Sequence, residues 1–578
     1  MPSPNLIPYN RNTNNPDNII RIIGSGSIGG KAQGLVFLQH LLSSNDLFQQ
    51  FPEIQVLIPS LVVIGTDVFD TFLENNDLGI YIDSDHTDDQ IAHAFQQSEL
   101  PFHILGDLRA LVEEIRNPIA VRSSSLLEDA TYEPFAGIYT TKMIPNQQFD
   151  PDFRFRKLSE AIKFVYASTF FKAAKSYRNA TGHDHKEEKM ALIIQHVHGS
   201  RHHVRFYPDL SGVARSYNFY PLGKAKPEDG VVSLALGLGK TIVDGGLSWT
   251  YSPAYPKIAP PYGSIKELLN NSQTEFWAVN MGSPLIYDPI QETEYLVKGD
   301  LSTAEMDGTL KDLCSTYDHQ GDRLQIGMAN PGPRVLNFAP LLQLKKFSLN
   351  KLIQELIKIC EDQLKNPVEI EFAMTFSPPS LGLLQVRSMV VSADDIQVCE
   401  EDLENKNALA VSENALGNGL VDNIKDIVYV LPDSFKLEKT REMAEELEHI
   451  NSELVKNGSP YLLIVFGRLG SSDPWLGIPV NWGQISGSRV IIETYQEGLS
   501  ADMSQGSHFF HNLTSLGVSY ISLPKAGKYQ LDWEWLSEQT EIQRTTYLRH
   551  IELKSPLGIK IDGKSGRAIV LKSRGENG

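Results

Sequence analysis

Two spacings of apolar residues alternate along the chain, and each predicts its own kind of element. Short apolar runs at IIRII, IQVL, LVVIG and ALIIQHV read as strands, with the pair at 54–65 divided by Pro59. Between them, apolar residues return every three or four positions. Leu35, Leu38 and Leu42 mark one face of a helix after a Gly/Ser loop, and Leu158, Ile162 and Val165 predict a helix over about 153–180. Thr66 reads as the cap of a helix over TDVFDTFLENN. From 205 to 300, strand-like runs such as VVSLALGLGKTIVDGG are separated by Gly and Pro. VEIEFAM and LGLLQVRS then read as alternating strands joined by TFSPPS. The acidic, polar stretch 392–426 interrupts this pattern, and beyond it IVYVLP, YLLIVFG, RVIIETY and VSYISLP read as strands around a charged helix near 437–456. The first 18 residues, rich in Pro and Asn, read as a loose arm. The whole predicts an α/β chain without internal repeats.

Composition narrows the class. A chain of 578 residues exceeds the size at which one core stops growing, so roughly two to four domains are expected. The longest apolar runs fall well short of the roughly 20 residues that span a bilayer, and the polar opening does not resemble a secretion leader. Cys314, Cys360 and Cys399 fit neither a zinc nor a disulfide spacing, so a cytoplasmic setting is expected. A net charge of −19 argues against a nucleic-acid partner, although local basic pockets for small phosphates are compatible with it.

Four constellations carry candidate chemistry. In GSGSIGGKAQG, glycines precede Lys31 at the mouth of a helix, where backbone N–H groups, the helix terminus and an ammonium can meet a phosphate. The P-loop spacing is absent, and a flexible capped turn explains the same residues. In NPIAVRSSSLLEDATYEPFAG, a strand ends in Arg122 with Ser123 beside it, suited to bidentate phosphate binding; a surface arginine before a capped helix is the plainer account. In the third, period two sets Glu369 and Glu371 on one face of a strand and Gln385 and Arg387 on one face of the next. Convergence of those faces would let two carboxylates and an amide oxygen hold Mg²⁺ while a guanidinium neutralises phosphate; ion pairs across a hairpin are the alternative. The fourth, ALGLGKTIVDGG, offers Gly237 and Gly239 for close backbone approach to a ligand, or for turns between strands.

These segments stand in an order that resembles the ATP-binding half of the phosphoenolpyruvate synthase and pyruvate phosphate dikinase family over roughly residues 20–390. GGKAQGL resembles the GGKxxxL start, AVRSSSLLEDATYEPFAGIYTT the VRSSxxxED...FAG segment, SGVARSYNFYP the SGVxFT segment, and EIEFAM with LLQVR the DIEW and LQxRP pair. The resemblance implies an ATP-grasp nucleotide-binding domain of two subdomains, binding ATP with Mg²⁺. By position it makes Lys31 and Arg122 phosphate ligands and Arg387 a second phosphate clamp, and sets Gln195 near the adenine, with Ser123 beside Arg122 as a further candidate contact. It makes Glu371 and Gln385 the magnesium and phosphate ligands; Glu369, on the face of Glu371, is a further candidate metal ligand, and Gly237 and Gly239 stay candidate nucleotide contacts on their glycine pattern. Glu369 stands where the family usually has Asp, and Arg215 where it has Phe.

SQGSHFFHNLTSLGVSYISLP resembles the family's swivelling segment, which makes His508 a candidate phosphoryl acceptor; a buried aromatic cluster around Phe509 and Phe510 is the alternative. The expected organisation is an arm at 1–18, subdomains at 19–190 and 191–391, a linker at 392–426, and a smaller α/β domain at 427–578. The expected activity is ATP-dependent phosphotransfer to a histidine, or to a separate acceptor such as pyruvate or a partner protein. A regulatory ATP-binding module and one half of a split dikinase are the alternatives.

Overall fold

The computed structural model describes residues 6–11, 20–45, 49–82, 84–125, 128, 138–181, 188–218, 224–258, 265–270, 272–282, 286–328, 330–389, 396–470, 475–496, 518–524, 528–563 and 565–572. The chain divides into two compact units. The first comprises Met1–Ser216, Gly230–Ile242 and Leu247–Met389; the second comprises Tyr217–Asp229, Val243–Gly246 and Val390–Gly578.

The first unit is built on two six-stranded sheets. One runs in the order Ile7–Pro8, Ile20–Ile23, Leu61–Ile64, Met190–His196, Ile119–Ser125, Thr141–Ile144. The other runs Trp249–Tyr251, Val231–Ala235, Leu210–Arg215, Val368–Phe376, Pro379–Ser388, Gln55–Leu57. The run around Pro59 therefore does form two strands, but they serve different sheets: Leu61–Ile64 pairs with Ile20–Ile23, and Gln55–Leu57 with Pro379–Ser388. Helix Gly29–Ser44 packs against both Ile119–Ser125 and Pro379–Ser388. Its Leu35, Leu38 and Leu41 are buried while Leu42 is only partly covered, in a core that includes Leu61 and Ile193 of one sheet and Leu210 and Ile370 of the other. Each such fully buried side chain contributes about 1.5–3 kcal/mol of apolar burial.

Several local expectations change. Thr66 is the first residue of helix Thr66–Asn75 rather than its cap; its hydroxyl accepts from Ser27 N (3.0 Å), so it fastens the glycine loop. The helix expected over about 153–180 is two helices, Pro151–Ser168 and Lys172–Thr181. At the break, buried Phe170 turns inward against Phe69 and Phe95, and aromatic packing outweighs helix continuity. Part of the expected arm is ordered, since Ile7–Pro8 pairs in parallel with Arg21 and Ile22. Strand Met190–His196 crosses the expected subdomain border at 190 and belongs to the first sheet, paired with Leu61–Ile64 and Ile119–Ser125.

In the second unit, a seven-stranded sheet has a parallel centre of Ser519–Leu523, Ser488–Thr494, Tyr461–Phe466 and Asp426–Val430. Helix Thr440–Lys456 connects Asp426–Val430 to Tyr461–Phe466 and buries Met443, Leu447, Ile450 and Leu454. The stretch expected as a linker contributes structure: Ala408–Ser412 pairs with Arg567–Leu571, and Gly419–Val421 with Gly558–Asp562. Its acidic residues are largely exposed, while Leu409, Ala410 and Val411 are buried. Among the described residues, no helix is long and apolar enough to cross a membrane.

Candidate phosphate-binding site

The hairpin of Val368–Phe376 and Pro379–Ser388 brings its four polar residues together in two rows. Glu369 stands opposite Arg387, and Glu371 opposite Gln385. The register shifts only beyond Glu371, where Leu384 is the extra residue of a bulge. That bulge matters chemically, because the Leu384 carbonyl accepts a hydrogen bond from Arg122 Nη1 (2.8 Å).

Arg122 comes from strand Ile119–Ser125 of the other sheet. Its guanidinium donates to Gln195 Oε1 (3.2 Å) on its own sheet and to Gln385 Oε1 (2.9 Å) on the hairpin, with Glu371 Oε2 3.6 Å away. One fork-shaped cation thus joins two sheets that are 263 residues apart along the chain at the Gln385 contact. Gln195 is 2% exposed, and its Nε2 donates to Pro59 O (3.4 Å). Both ends of this amide are thus engaged inside the protein, and its contact is with Arg122.

The row beyond carries a buried triad. Arg215, opposite Glu369 on the neighbouring strand Leu210–Arg215, donates from Nε to Glu369 Oε2 (2.5 Å). Arg387 Nη2 donates to the other oxygen, Oε1. Both oxygens of Glu369 therefore already receive a guanidinium. Glu371 is the more accessible of the two carboxylates, and among the described residues no three His, Cys, Asp or Glu side chains gather as a metal site.

Lys31 lies on the first turn of helix Gly29–Ser44, at the end of the glycine loop. Gly29 is required there: its φ is +72°, and a Cβ would fall 1.7 Å from Ser124 O. Ser124 Oγ in turn donates to Ile28 O (2.7 Å) and accepts from Ala32 N (3.1 Å), which locks the loop to strand Ile119–Ser125. Lys31 Nζ donates to Ser123 Oγ (3.3 Å) and to the Glu128 carboxylate. Glu128 also accepts from Ser123 Oγ (2.8 Å) and Ser125 N (3.2 Å). On the far side, Glu188 faces Ser125, Tyr139, Arg178 and Glu128, and burial raises its carboxyl above the usual range. Sequence reasoning missed Glu128 as more than the start of a loop; its place three residues beyond Ser125 was the available signal.

Gly237 and Gly239 belong to the turn after Val231–Ala235. Gly237 has φ +81° and its carbonyl accepts from Ser211 Oγ (2.7 Å), whereas a Cβ on Gly239 would meet nothing closer than 3.6 Å. His508 lies outside the described residues.

A glycine loop with a lysine, an arginine between two sheets, and a hairpin of acidic, amide and basic groups thus stand in one unit of a mixed α/β fold of the ATP-grasp-like class. Comparison with known proteins agrees: residues 25–408 match the model of the pyruvate phosphate dikinase, AMP/ATP-binding domain, and the chain belongs to that family. It is 28% identical over 287 residues to a phosphoenolpyruvate synthase of Aeropyrum pernix, covering 48% of this chain and 29% of that protein. It is 27% identical over 191 residues to the uncharacterized phosphotransferase YvkC of Bacillus subtilis, covering 33% of this chain and 20% of that protein. The chain thus spans less than a third of the length of either relative.

Proposed function

We propose that this chain is an ATP-dependent phosphotransferase that binds Mg-ATP between its two six-stranded sheets. The observation that carries the reading is the position of Arg122, whose guanidinium reaches Gln195 on one sheet and Gln385, Leu384 O and Glu371 on the other. Phosphoryl transfer needs positioning and charge neutralisation more than covalent help from protein groups. Lys31, Arg122 and Arg387 supply the positive charge, with Ser123 beside Lys31 and its own O–H given to Glu128, and the Gly237–Gly239 turn supplies backbone N–H groups. Gln195 serves by orienting Arg122 rather than by reaching the base.

Mg²⁺ typically takes one or two protein carboxylates and completes its shell with phosphate oxygens and water. Glu371 and Gln385, which stand opposite one another with oxygen donors, fit that demand. Glu369 would join them only if Arg215 or Arg387 turned towards phosphate. When bound, the ion would supply positive charge that offsets the charge of the phosphates. The acceptor in this reading is His508 or a separate molecule such as pyruvate or a partner protein.

A second reading, a nucleotide-binding regulatory module or one half of a split dikinase, is favoured by one observation: both oxygens of Glu369 are held by arginines, which leaves one carboxylate ready for a metal. The two readings separate on incubation with Mg²⁺ and ATP labelled at the β or the γ position. Release of AMP with acid-labile label on protein, lost in His508→Ala, supports the dikinase-type enzyme. Binding without turnover or labelled protein, with candidate acceptors present, overturns the enzyme reading.

A further inference from the structure

Lys31 belongs to a buried charge cluster whose other members, Arg178, Glu128 and Glu188, the phosphate-binding reading does not use. Lys31 and Arg178 supply two cations, and Glu128 and Glu188 two carboxylates, so among the described residues the cluster sums to zero before any nucleotide arrives. Arg178 is fully buried and donates to Tyr139 Oη (3.3 Å) and Thr169 O (2.6 Å). Glu128, with no exposed surface, is held by Ser123 Oγ, Ser125 N and Lys31 Nζ together. A carboxylate with three donors, one of them a backbone N–H, is fixed in direction. The ammonium it receives is fixed with it.

An ammonium has three N–H donors. Among the described residues Lys31 gives one to Glu128 and one to Ser123, and a third remains. Without Glu128, the four-carbon stem of the lysine would spread over several rotamers, and the charge would no longer have one place. The same carboxylate also puts a negative charge beside any phosphate that Lys31 contacts, which weakens binding while it improves placement.

We propose that Glu128 is the positioning residue for Lys31, pinning its ammonium against Ser123 so that the remaining N–H meets a nucleotide phosphate. This rests on the reading of the site as one that binds ATP. It has a consequence that a structural role would not share: affinity and turnover move in opposite directions when the carboxylate is neutralised.

The test uses the full chain, with Mg-ATP binding followed by calorimetry and turnover by release of labelled nucleotide. Glu128→Gln is expected to bind Mg-ATP roughly 3- to 10-fold more tightly, because one neighbouring negative charge is gone, and to turn over about 10-fold more slowly, because the lysine is no longer pinned. Glu128→Asp, a second variant should the first fail to fold, retains the charge but not the reach, and is expected to keep wild-type affinity with reduced turnover. Weaker binding in Glu128→Gln, or parallel loss of affinity and turnover, overturns the proposal. Lys31→Met keeps the two failures apart: if the wild type binds no ATP, the ATP reading itself falls. If the wild type binds and Lys31→Met weakens it while Glu128→Gln does not tighten it, only the role of Glu128 falls. In a chain that binds without turnover, the direction of the Glu128→Gln affinity change alone decides.

Discussion

Arg122 Nη2 lies 2.9 Å from Gln385 Oε1, a hydrogen bond that ties the first sheet of the nucleotide-binding unit to the hairpin of the second. The same guanidinium holds Gln195 and the bulged Leu384 carbonyl, so its planar fork serves three acceptors at once. A lysine cannot reproduce that geometry with a single ammonium. Arg122→Lys is expected to keep the fold but to lower turnover by about 100- to 1,000-fold, the usual effect of losing one preorganised donor at a developing charge. Steady-state kinetics with Mg-ATP and circular dichroism of the same preparation check it; wild-type turnover in the variant would show that Arg122 is a structural tie only.

The triad Arg215, Glu369 and Arg387 predicts an asymmetry in stability. Removing Arg215 leaves Glu369 paired with Arg387, a neutral couple, whereas removing the carboxylate leaves two cations across a strand pair in a buried place. Glu369→Gln should therefore destabilise by about 3–5 kcal/mol, the range for breaking a buried ion pair, and Arg215→Met by clearly less. Urea unfolding of the two variants measures this directly. Arg215→Met should also lower the Mn²⁺ concentration needed for half-saturation, read by electron paramagnetic resonance, because one of the two cations competing for Glu369 is gone.

How much of this was legible in the chain depends on the range of the interaction. Spacing put Glu369 with Glu371 on one face and Gln385 with Arg387 on another, but not the two pairs together: counted from the turn, an unbroken register sets Glu371 opposite Leu384, and the bulge at Leu384 is what turns Gln385 and Arg387 onto the face of the glutamates. The apolar faces of Leu35 and Leu38, and of Leu158, Ile162 and Val165, followed from helical period and are buried. Contacts between distant segments left no local trace. Nothing near Arg122 names Gln385 as its partner, and nothing near Thr66 shows that its hydroxyl is claimed by Ser27 instead of capping its own helix. Arg215 was visible as an unusual residue in its segment, but its partner, Glu369, appears only once the strands are paired. The stretch 392–426 misled for a different reason: its exposed acidic residues dominate composition, while the short buried run Leu409–Val411 is what pairs it to the C-terminal strands.

The glycine loop gives a sharper steric prediction. At Gly29 an added methyl would overlap the Ser124 carbonyl at 1.7 Å, and the positive φ adds strain for any L side chain. Gly29→Ala must therefore move the first turn of helix Gly29–Ser44 away from strand Ile119–Ser125, and Lys31 with it. Mg-ATP affinity should fall at least 10-fold, the effect of displacing a phosphate-binding cation. Gly239→Ala, where the nearest atom is 3.6 Å away, should have little effect on stability. Binding isotherms and thermal melts of the two variants side by side check the contrast.

The second unit carries a pH dependence of its own. Glu493, on strand Ser488–Thr494, accepts from Leu469 N (2.7 Å) and lies beside Tyr520 and Arg468. Burial outweighs those three and pushes its carboxyl up from 4.5 to about 7. Between these two values the folded chain holds a proton that the unfolded chain has released, so stability falls as pH rises through that window, is fully present below 4.5, and levels off above 7. The span corresponds to about 3 kcal/mol at most. Glu493→Gln carries no such proton, so the stability of the wild type relative to this variant should decline by that amount from pH 4.5 to pH 7. Hydrogen exchange of the Ser488–Thr494 amides, compared between wild type and variant at each pH, isolates the effect from other titrating groups. A constant difference across the window would mean that Glu493 is ionised in the folded chain throughout, with Arg468 and Tyr520 supplying more compensation than its burial takes away.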